Sequence, residues 1–422
     1  MNLHGEFEWR GLIHSETEGL AELAAQQSLT AYAGFDATAA SMHVGHLLPT
    51  LGLRRLQLMG HRPIAVVGGG TGLIGDPSGK NAERALLTLD QVQHNAQAIH
   101  RQLERFLDFS SGPNAAALAN NADWLTTMSA MEFLRDVGKY FSVNAMLAKE
   151  SVKRRIASED GISYTEFSYS LLQSFDYLKL FDMYGCTLQI GGSDQWGNIV
   201  SGCDLIRRLR GAKAHGLVMP LLMTAAGTKF GKTEAGTVWL DAEMTKPYDF
   251  YQYWFNADDR DASLYLRFFT FLTADRIREL EEATQKEPEK RHAQRELARE
   301  VTTLVHGTQA VQEAEAVAAK LFGGSVAAMS VAELLAVFPN VPSATVTHSP
   351  SGWPLVELLA SVGVTASKGE ATRLIRGGGI SVNDRRVTDE KERLQAEQAI
   401  EGQMFLVRKG RKDHFLIRIA RG

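Results

Sequence analysis

Apolar residues near the start of the chain fall into strand-like runs separated by a stretch of helical spacing. Thr30–Asp36 (TAYAGFD) and Pro63–Gly68 (PIAVVG) read as strands, each ending in glycine or aspartate turn chemistry. Between them, His46–Met59 carries Leu47, Leu51, Leu53, Leu56 and Leu58 at nearly helical intervals. Pro49 is expected in the first turn of that helix, where its missing N–H costs little. A third run, Thr187–Ile190 (TLQI), ends at Gly191-Gly192 and leads into a helical pattern over Asn198–Leu209. Repeated strand, turn and helix over the first half predict an open α/β sheet, with its ligand site beyond the carboxyl ends of the strands.

Further along the pattern changes. Lys246–Phe322 is mostly helical, and Gly323–Ser351 collects glycine, proline, serine and threonine around one short helical stretch, Ser330–Phe338. Gly352–Gly422 alternates short helices and strands. With 422 residues the chain exceeds what one core organises. The expected division is 1–245 as the sheet domain, 246–322 as a helical domain, 323–350 as a linker and 351–422 as a small α+β domain.

Composition narrows the function classes. At 44% hydrophobic and 22% charged residues, with a mean hydropathy of -0.16, the chain has enough apolar content for packed cores. The first ten residues lack the basic-then-apolar order of an export signal, and no apolar stretch is long enough for a bilayer. Cys186 and Cys203 sit in apolar segments and are expected to be buried, reduced thiols, which points to the cytoplasm. Net charge is -4, yet the segment from Gly352 carries thirteen Lys/Arg against nine Asp/Glu, or +4, leaving -8 for the rest. A basic end on an acidic chain fits a polyanionic partner as well as it fits chance asymmetry of a solvated surface.

Five segments carry candidate chemistry. Asp36 to His46 (DATAASMHVGH) places His43 and His46 three apart at a strand-to-helix junction with Gly45 between them. Imidazoles, the Thr38 hydroxyl and a helix N-terminus together suit phosphate oxygens, although a histidine pair can also simply cap the helix. A metal is disfavoured there, because no third ligand lies nearby in sequence. Gly70–Gly75 matches the dinucleotide fingerprint G-x-G-x-x-G, but Asp76-Pro77-Ser78-Gly79 follows at once and favours a turn over the helix the fingerprint needs. Asp76 is better read as a carboxylate for an ammonium group. Tyr169, Gln173 and Asp176 fall on one face of a helix, opposite Leu171, Leu172, Phe175 and Leu178. That polar stripe is either solvated surface or a site for a small zwitterion bearing a hydroxyl. Gly191–Asn198 (GGSDQWGN) allows a nucleotide to approach the backbone, with Asp194 placed like a ribose-binding carboxylate, or forms an ordinary turn. Lys229-Phe230-Gly231-Lys232-Thr233 puts two lysines in a glycine-punctuated loop able to close over phosphate charge, or merely on the surface.

Taken in order, these segments resemble one family. His43-Val44-Gly45-His46 is similar to the HIGH motif, and Lys229–Thr233 to the KMSKS loop, of class I aminoacyl-tRNA synthetases. With Tyr32-Ala33-Gly34-Phe35-Asp36, Gly75–Gly79, Tyr169/Gln173/Asp176 and Gly191–Asn198, the resemblance is to bacterial tyrosyl-tRNA synthetases over essentially the whole chain. It implies a Rossmann-like doubly wound catalytic domain, a helical anticodon-side domain and a C-terminal RNA-binding domain of the ribosomal-protein type, the last on Glu370–Asn383.

Residue roles follow from the same resemblance. Tyr32 and Asp176 would bond the tyrosine phenol, Asp76, Tyr169 and Gln173 its ammonium group, and Gln189 and Gln195 would line that pocket. Asp36, Gly45, Gly192, Asp194 and Lys232 would meet ATP, and Thr38, His43, His46, Lys229 and Lys232 would serve the phosphate chemistry. Arg373, Arg376, Arg385 and Arg386 would contact tRNA. The expected partners are L-tyrosine, ATP with Mg2+, tRNA(Tyr) and a second copy of the chain meeting across 131–164. No prosthetic group and no membrane are expected. Tryptophanyl-tRNA synthetase is the nearest rival, and an NAD-dependent dehydrogenase built on Gly70–Gly75 is the rival of another class.

Overall fold

A computed structural model describes residues 2–76, 78, 86–159, 161–228, 230–233, 236–323, 326, 329–338, 341–410 and 413–420. The chain divides into two compact units, Met1–Thr245 with Gln252–Val305, and Lys246–Tyr251 with His306–Gly422.

The first unit is built on strands β1 (Ser15–Glu16), β2 (Thr30–Asp36), β3 (Arg62–Gly68), β4 (Ala117–Asn120), β5 (Leu188–Gly192) and β6 (His215–Met219). Their order is β1-β6-β5-β2-β3-β4, parallel throughout except for β1, which runs antiparallel on β6. Because the chain runs outward from β2 through β3 to β4 and then returns to β5 and β6 on the other side, the strand order reverses between β2 and β5. A crevice opens at such a reversal, beyond the carboxyl ends of the strands. Helices lie on a parallel sheet, so its strands read as near-continuous apolar runs: β3 buries Pro63 to Gly68, and β6 is buried at all five positions.

Helix Val44–Leu58 connects β2 to β3, and His43 is its N-cap. It therefore begins two residues earlier than its leucines indicate, and Pro49 stands inside it rather than in its first turn. Helix Tyr164–Tyr184 starts at the Ser163 cap, whose hydroxyl accepts from the Glu166 N–H, and ends at Gly185 in the left-handed region (φ 63). Helix Trp196–Arg210 joins β5 to β6. Beyond a short hairpin of β7 (Lys232–Thr233) and β8 (Gly236–Thr237), helices Asp259–Phe269, Ala274–Lys286 and His292–His306 follow. Of these, all but the last residue of the third belong to the first unit. The expected helical domain 246–322 is thus helical but not a compact unit of its own, because amphipathic helices bury their apolar faces on whatever core is nearest.

The second unit contains a five-stranded sheet of β9 (Ser343–Thr347), β11 (Ile380–Val382), β12 (Arg385–Val387), β14 (Met404–Lys409) and β15 (Asp413–Ala420), in the order β12-β11-β14-β15-β9. A short pair, β10 (Trp353–Pro354) and β13 (Arg393–Leu394), accompanies it. Asn383 and Asp384 both have positive φ, the two-residue turn that a tight hairpin between β11 and β12 requires. Helices Leu355–Ser361 and Lys368–Arg376 bury Leu355, Leu359 and Ile375 against Ile380, Phe405, Val407 and Ile417. The expected linker 323–350 needs correction: β9 pairs in parallel with β15, and Val326, Met329 and Leu334 share a core with Ile400, Met404, Leu406 and Leu416. Its apolar residues in that core are buried, and the glycine, serine and proline around them obscure this in the sequence.

Candidate active site

A cavity of about 300 Å³ opens where the strand order reverses. Tyr32, Asp36, His43, Gly45, His46, Asp76, Tyr169, Gln173, Asp176, Gln189, Gly192, Asp194 and Gln195 all line it. Residues more than 160 positions apart therefore converge. Thr38 and Lys232 do not line it, and Lys229 lies outside the described residues. Lys232 is exposed on β7, opposite Thr237.

The most buried part is formed by Tyr32, Asp176 and Gln189, which are 1%, 4% and 3% exposed. Asp176 accepts from the Trp124 indole N–H at 2.7 Å and from the Asn121 amide at 2.9 Å. Burial nevertheless pushes its carboxyl up to about 7, against those two bonds and with Asp36 adding to the rise. The Tyr32 hydroxyl and Gln189 Oε1 are buried without a hydrogen-bond partner among the described residues. Buried polar atoms rarely stay unpaired, so these two mark where a ligand's polar group belongs.

Around Asp76 the amides form a directed relay. Asn198 donates to Gln173 Oε1 at 3.0 Å, Gln173 donates to Gln195 Oε1 at 3.2 Å, and Gln195 donates to Asp76 Oδ2 at 2.7 Å. The Ser78 N–H adds a bond to Asp76 Oδ1 at 2.9 Å. Burial still raises the Asp76 carboxyl above its ordinary range, with Asp194 contributing. Across the cavity the Tyr169 hydroxyl donates to Asp36 at 3.0 Å, and the Thr71 hydroxyl donates to the same carboxylate at 2.8 Å. Four carboxylates thus face a cavity whose described lining contains no lysine or arginine. Such a lining favours a cationic ligand group.

The two histidines do cap their helix. The His43 N–H donates to His46 Nδ1 and the Gly45 N–H to His43 Nδ1, both at 3.1 Å, and the rings stack at 3.9 Å. Capping and function are compatible here. An Nδ1 that accepts must be unprotonated, so each neutral ring carries its proton on Nε2 and offers a donor alongside the helix N-terminus. The Gly70–Gly75 segment forms a 3-10 turn at Thr71–Leu73 and opens no α-helix, which removes the dinucleotide reading.

Asn121, Trp124 and Thr71 escaped sequence reasoning although they orient Asp176 and Asp36. They follow β4 and β3, and β4 (ALAN) is too short, and too poor in β-branched and aromatic residues, to read as a strand. The only available signal was polar residues after a strand end. The polar stripe of Tyr169, Gln173 and Asp176 is not solvated surface, since Tyr169 and Asp176 are both buried. In the second unit Arg376 pairs with Glu390 at 2.7 Å, Arg385 pairs with Glu392, and Arg386 donates to the carbonyls of Gly378 and Gly377 at 2.9 and 3.3 Å. Arg373 is exposed on the Lys368–Arg376 helix.

Comparison with known proteins gives the family. Residues 24–323 match the family described as tRNA synthetases class I (W and Y), and residues 333–417 match the tyrosine--tRNA ligase SYY-like C-terminal domain. The tyrosine--tRNA ligase of Roseiflexus castenholzii is 53% identical over 98% of both chains, and that of Geobacillus stearothermophilus is 51% identical over 100% of both. Among solved structures, a C-terminally truncated Aspergillus nidulans mitochondrial tyrosyl-tRNA synthetase superposes with a TM-score of 0.69 at 30% identity, covering 76% of this chain and 94% of that one. By its cavity, its two matched segments and its full-length relatives, the chain belongs to the tyrosine--tRNA ligases of the class I tRNA synthetase family.

Proposed function

We propose that the cavity binds L-tyrosine with its phenol between Tyr32 and Asp176 and its ammonium group among Asp76, Tyr169 and Gln173. The unpaired Tyr32 hydroxyl beside the buried Asp176 carboxylate carries this reading, because a phenol can pair with both. Gln189 and Gln195 complete the pocket. ATP lies across the strand reversal, its ribose at Gly192 and Asp194, near Asp36. Its phosphates meet Gly45, Thr38 and the Nε2–H donors of His43 and His46, with Lys229 and Lys232 closing over them.

As a tyrosine--tRNA ligase the chain activates tyrosine with ATP and then charges tRNA. In activation a tyrosine carboxylate oxygen attacks the α-phosphorus, and the bond from that phosphorus to pyrophosphate breaks. A ribose hydroxyl at the 3′ end of tRNA then attacks the tyrosyl carbonyl, and AMP leaves. A carboxylate is already a nucleophile, so this pocket needs to supply position and charge stabilisation rather than a strong base. Magnesium enters with ATP as part of the substrate.

Lys232→Ala is expected to slow tyrosyl-adenylate formation by about a hundredfold or more, while tyrosine affinity stays near that of the parent. An exposed lysine that meets the phosphates as charge develops adds little to ground-state tyrosine binding. Single-turnover activation at the parent rate would remove the assignment.

The second unit and helices beyond residue 246 are assigned to tRNA, with the basic surface at Arg373, Arg376, Arg385 and Arg386 as its backbone contact. Homodimerisation across 131–164 is supported by Met131 (76% exposed) and Tyr164 (72% exposed), joined by the exposed Leu134, Val143, Leu147 and Ile156. Val137 and Met146 of that segment are buried within the unit and do not contribute. Light scattering at micromolar concentration should give twice the chain mass. A monomer there would overturn the assignment. A cytoplasmic location is part of this proposal, supported by the work of charging tRNA and by two free thiols, Cys186 buried as expected and Cys203 only half-buried, and recovery among exported proteins on fractionation would contradict it.

A further inference from the structure

The loop that bears Lys232 is moored to its unit by its aromatic residue. Phe230 is 7% exposed, whereas Lys232, beyond the positive-φ Gly231 (φ 81), stands in solvent. The Phe230 ring stacks on Phe269 with centroids 5.2 Å apart and planes 10° apart, and meets Tyr265 edge-on at 5.2 Å. The Gly231 N–H donates to the Tyr253 hydroxyl at 3.1 Å, and upstream the Ala225 N–H donates to the buried Asp261 carboxylate at 2.9 Å. Asp261, Tyr265 and Phe269 recur every four residues on helix Asp259–Phe269, so one helix face holds the loop at both ends.

The far end of that helix is fixed to the helix that carries the histidines. Arg55, on Val44–Leu58 and 1% exposed, donates to the carbonyls of Phe268 and Thr270 at 3.0 and 2.7 Å. Arg10 adds bonds to Thr270 and Leu272 at 3.1 and 2.9 Å. Helix Asp259–Phe269 is thereby a common reference for the histidine helix and the lysine loop.

We propose that Phe230 is a positioning residue for tyrosine activation, acting through Lys232 by fixing the root of its loop in the aromatic cage. This rests on the assignment of Lys232 to the transition-state phosphates. Stacked and edge-on rings have preferred geometry, so the cage sets the direction of the chain entering Gly231 as well as its depth. A cation offset by a fraction of an ångström from developing charge loses much of its effect on rate, while ground-state tyrosine binding is untouched.

The test is a double-mutant cycle in the full-length chain, reading single-turnover adenylate formation and tyrosine dissociation constants for the parent, Phe230→Ala, Phe230→Leu, Lys232→Ala and the Phe230→Ala/Lys232→Ala pair. Phe230→Ala should slow activation by about tenfold or more with tyrosine affinity within about twofold of the parent, and Phe230→Leu should recover part of the loss. In the Lys232→Ala background, Phe230→Ala should cost little more. The same loss with or without the lysine, or no loss at all, would overturn the proposal while leaving the lysine assignment standing. If Lys232→Ala alone does not slow activation, the assignment beneath it fails first. Tyr253→Phe, which removes only the hydroxyl that holds Gly231, repeats the cycle should Phe230→Ala fold poorly, with the same two outcomes.

Discussion

Phenylalanine should be activated at least about ten-thousand-fold less efficiently than tyrosine, a discrimination tyrosyl-tRNA synthetases are known for and not a figure drawn from this geometry. What the geometry supplies is the cause. Tyr32, Asp176 and Gln189 are nearly inaccessible, and Asp176 is already held by Asn121 and Trp124, so it cannot turn away from an apolar ring. Phenylalanine would bury the Tyr32 hydroxyl and a carboxylate against carbon, leaving both short of a partner. Removing one reader should narrow the gap: Tyr32→Phe should lose tyrosine activation more than phenylalanine activation. Steady-state kcat/KM for both amino acids by pyrophosphate exchange checks it. Comparable efficiencies in the parent would show that the phenol lies elsewhere.

Ending the chain at Gly323 should separate the two half-reactions. Every residue assigned to tyrosine or ATP precedes Thr233 and lies in the first unit, so tyrosine-dependent exchange should survive. Charging of tRNA should be lost. A cut at 351 would be the wrong experiment, since it would strand β9 without β15 and uncover Val326, Met329 and Leu334. The removed segment holds the basic excess, and phosphate contacts of that kind dominate affinity and weaken with salt. Arg376, Arg385 and Arg386 are already bonded to glutamates or to helix-end carbonyls, so they must exchange partners to serve tRNA, while exposed Arg373 is the readiest contact. Equal aminoacylation by both forms at moderate salt would show that this unit is not the clamp.

Much of the sheet was legible because parallel strands are long apolar runs ending in turn residues: β2 and β3 announce themselves, and β5 does so up to its glycines. β4 was not, being four residues (ALAN) without a β-branched or aromatic side chain. The site residues were legible where chemistry and element type coincide, as with Tyr169, Gln173 and Asp176 on one helix face. Their supporting partners were not. Asn121 and Trp124 act through a fold-level approach to Asp176 across more than fifty residues, which no local pattern encodes. Boundaries of the units were obscured for a related reason. Helix Asp259–Phe269 looks like part of a separate helical domain, yet its face is committed to Phe230, and its end to Arg55 and Arg10.

Exchange of labelled pyrophosphate into ATP, run with tyrosine, with tryptophan and with no amino acid, tests the central assignment most directly. Rapid exchange with tyrosine alone is the predicted result. Exchange driven by tryptophan, or none with tyrosine under conditions where the chain is folded and saturated with ATP and magnesium, would contradict it.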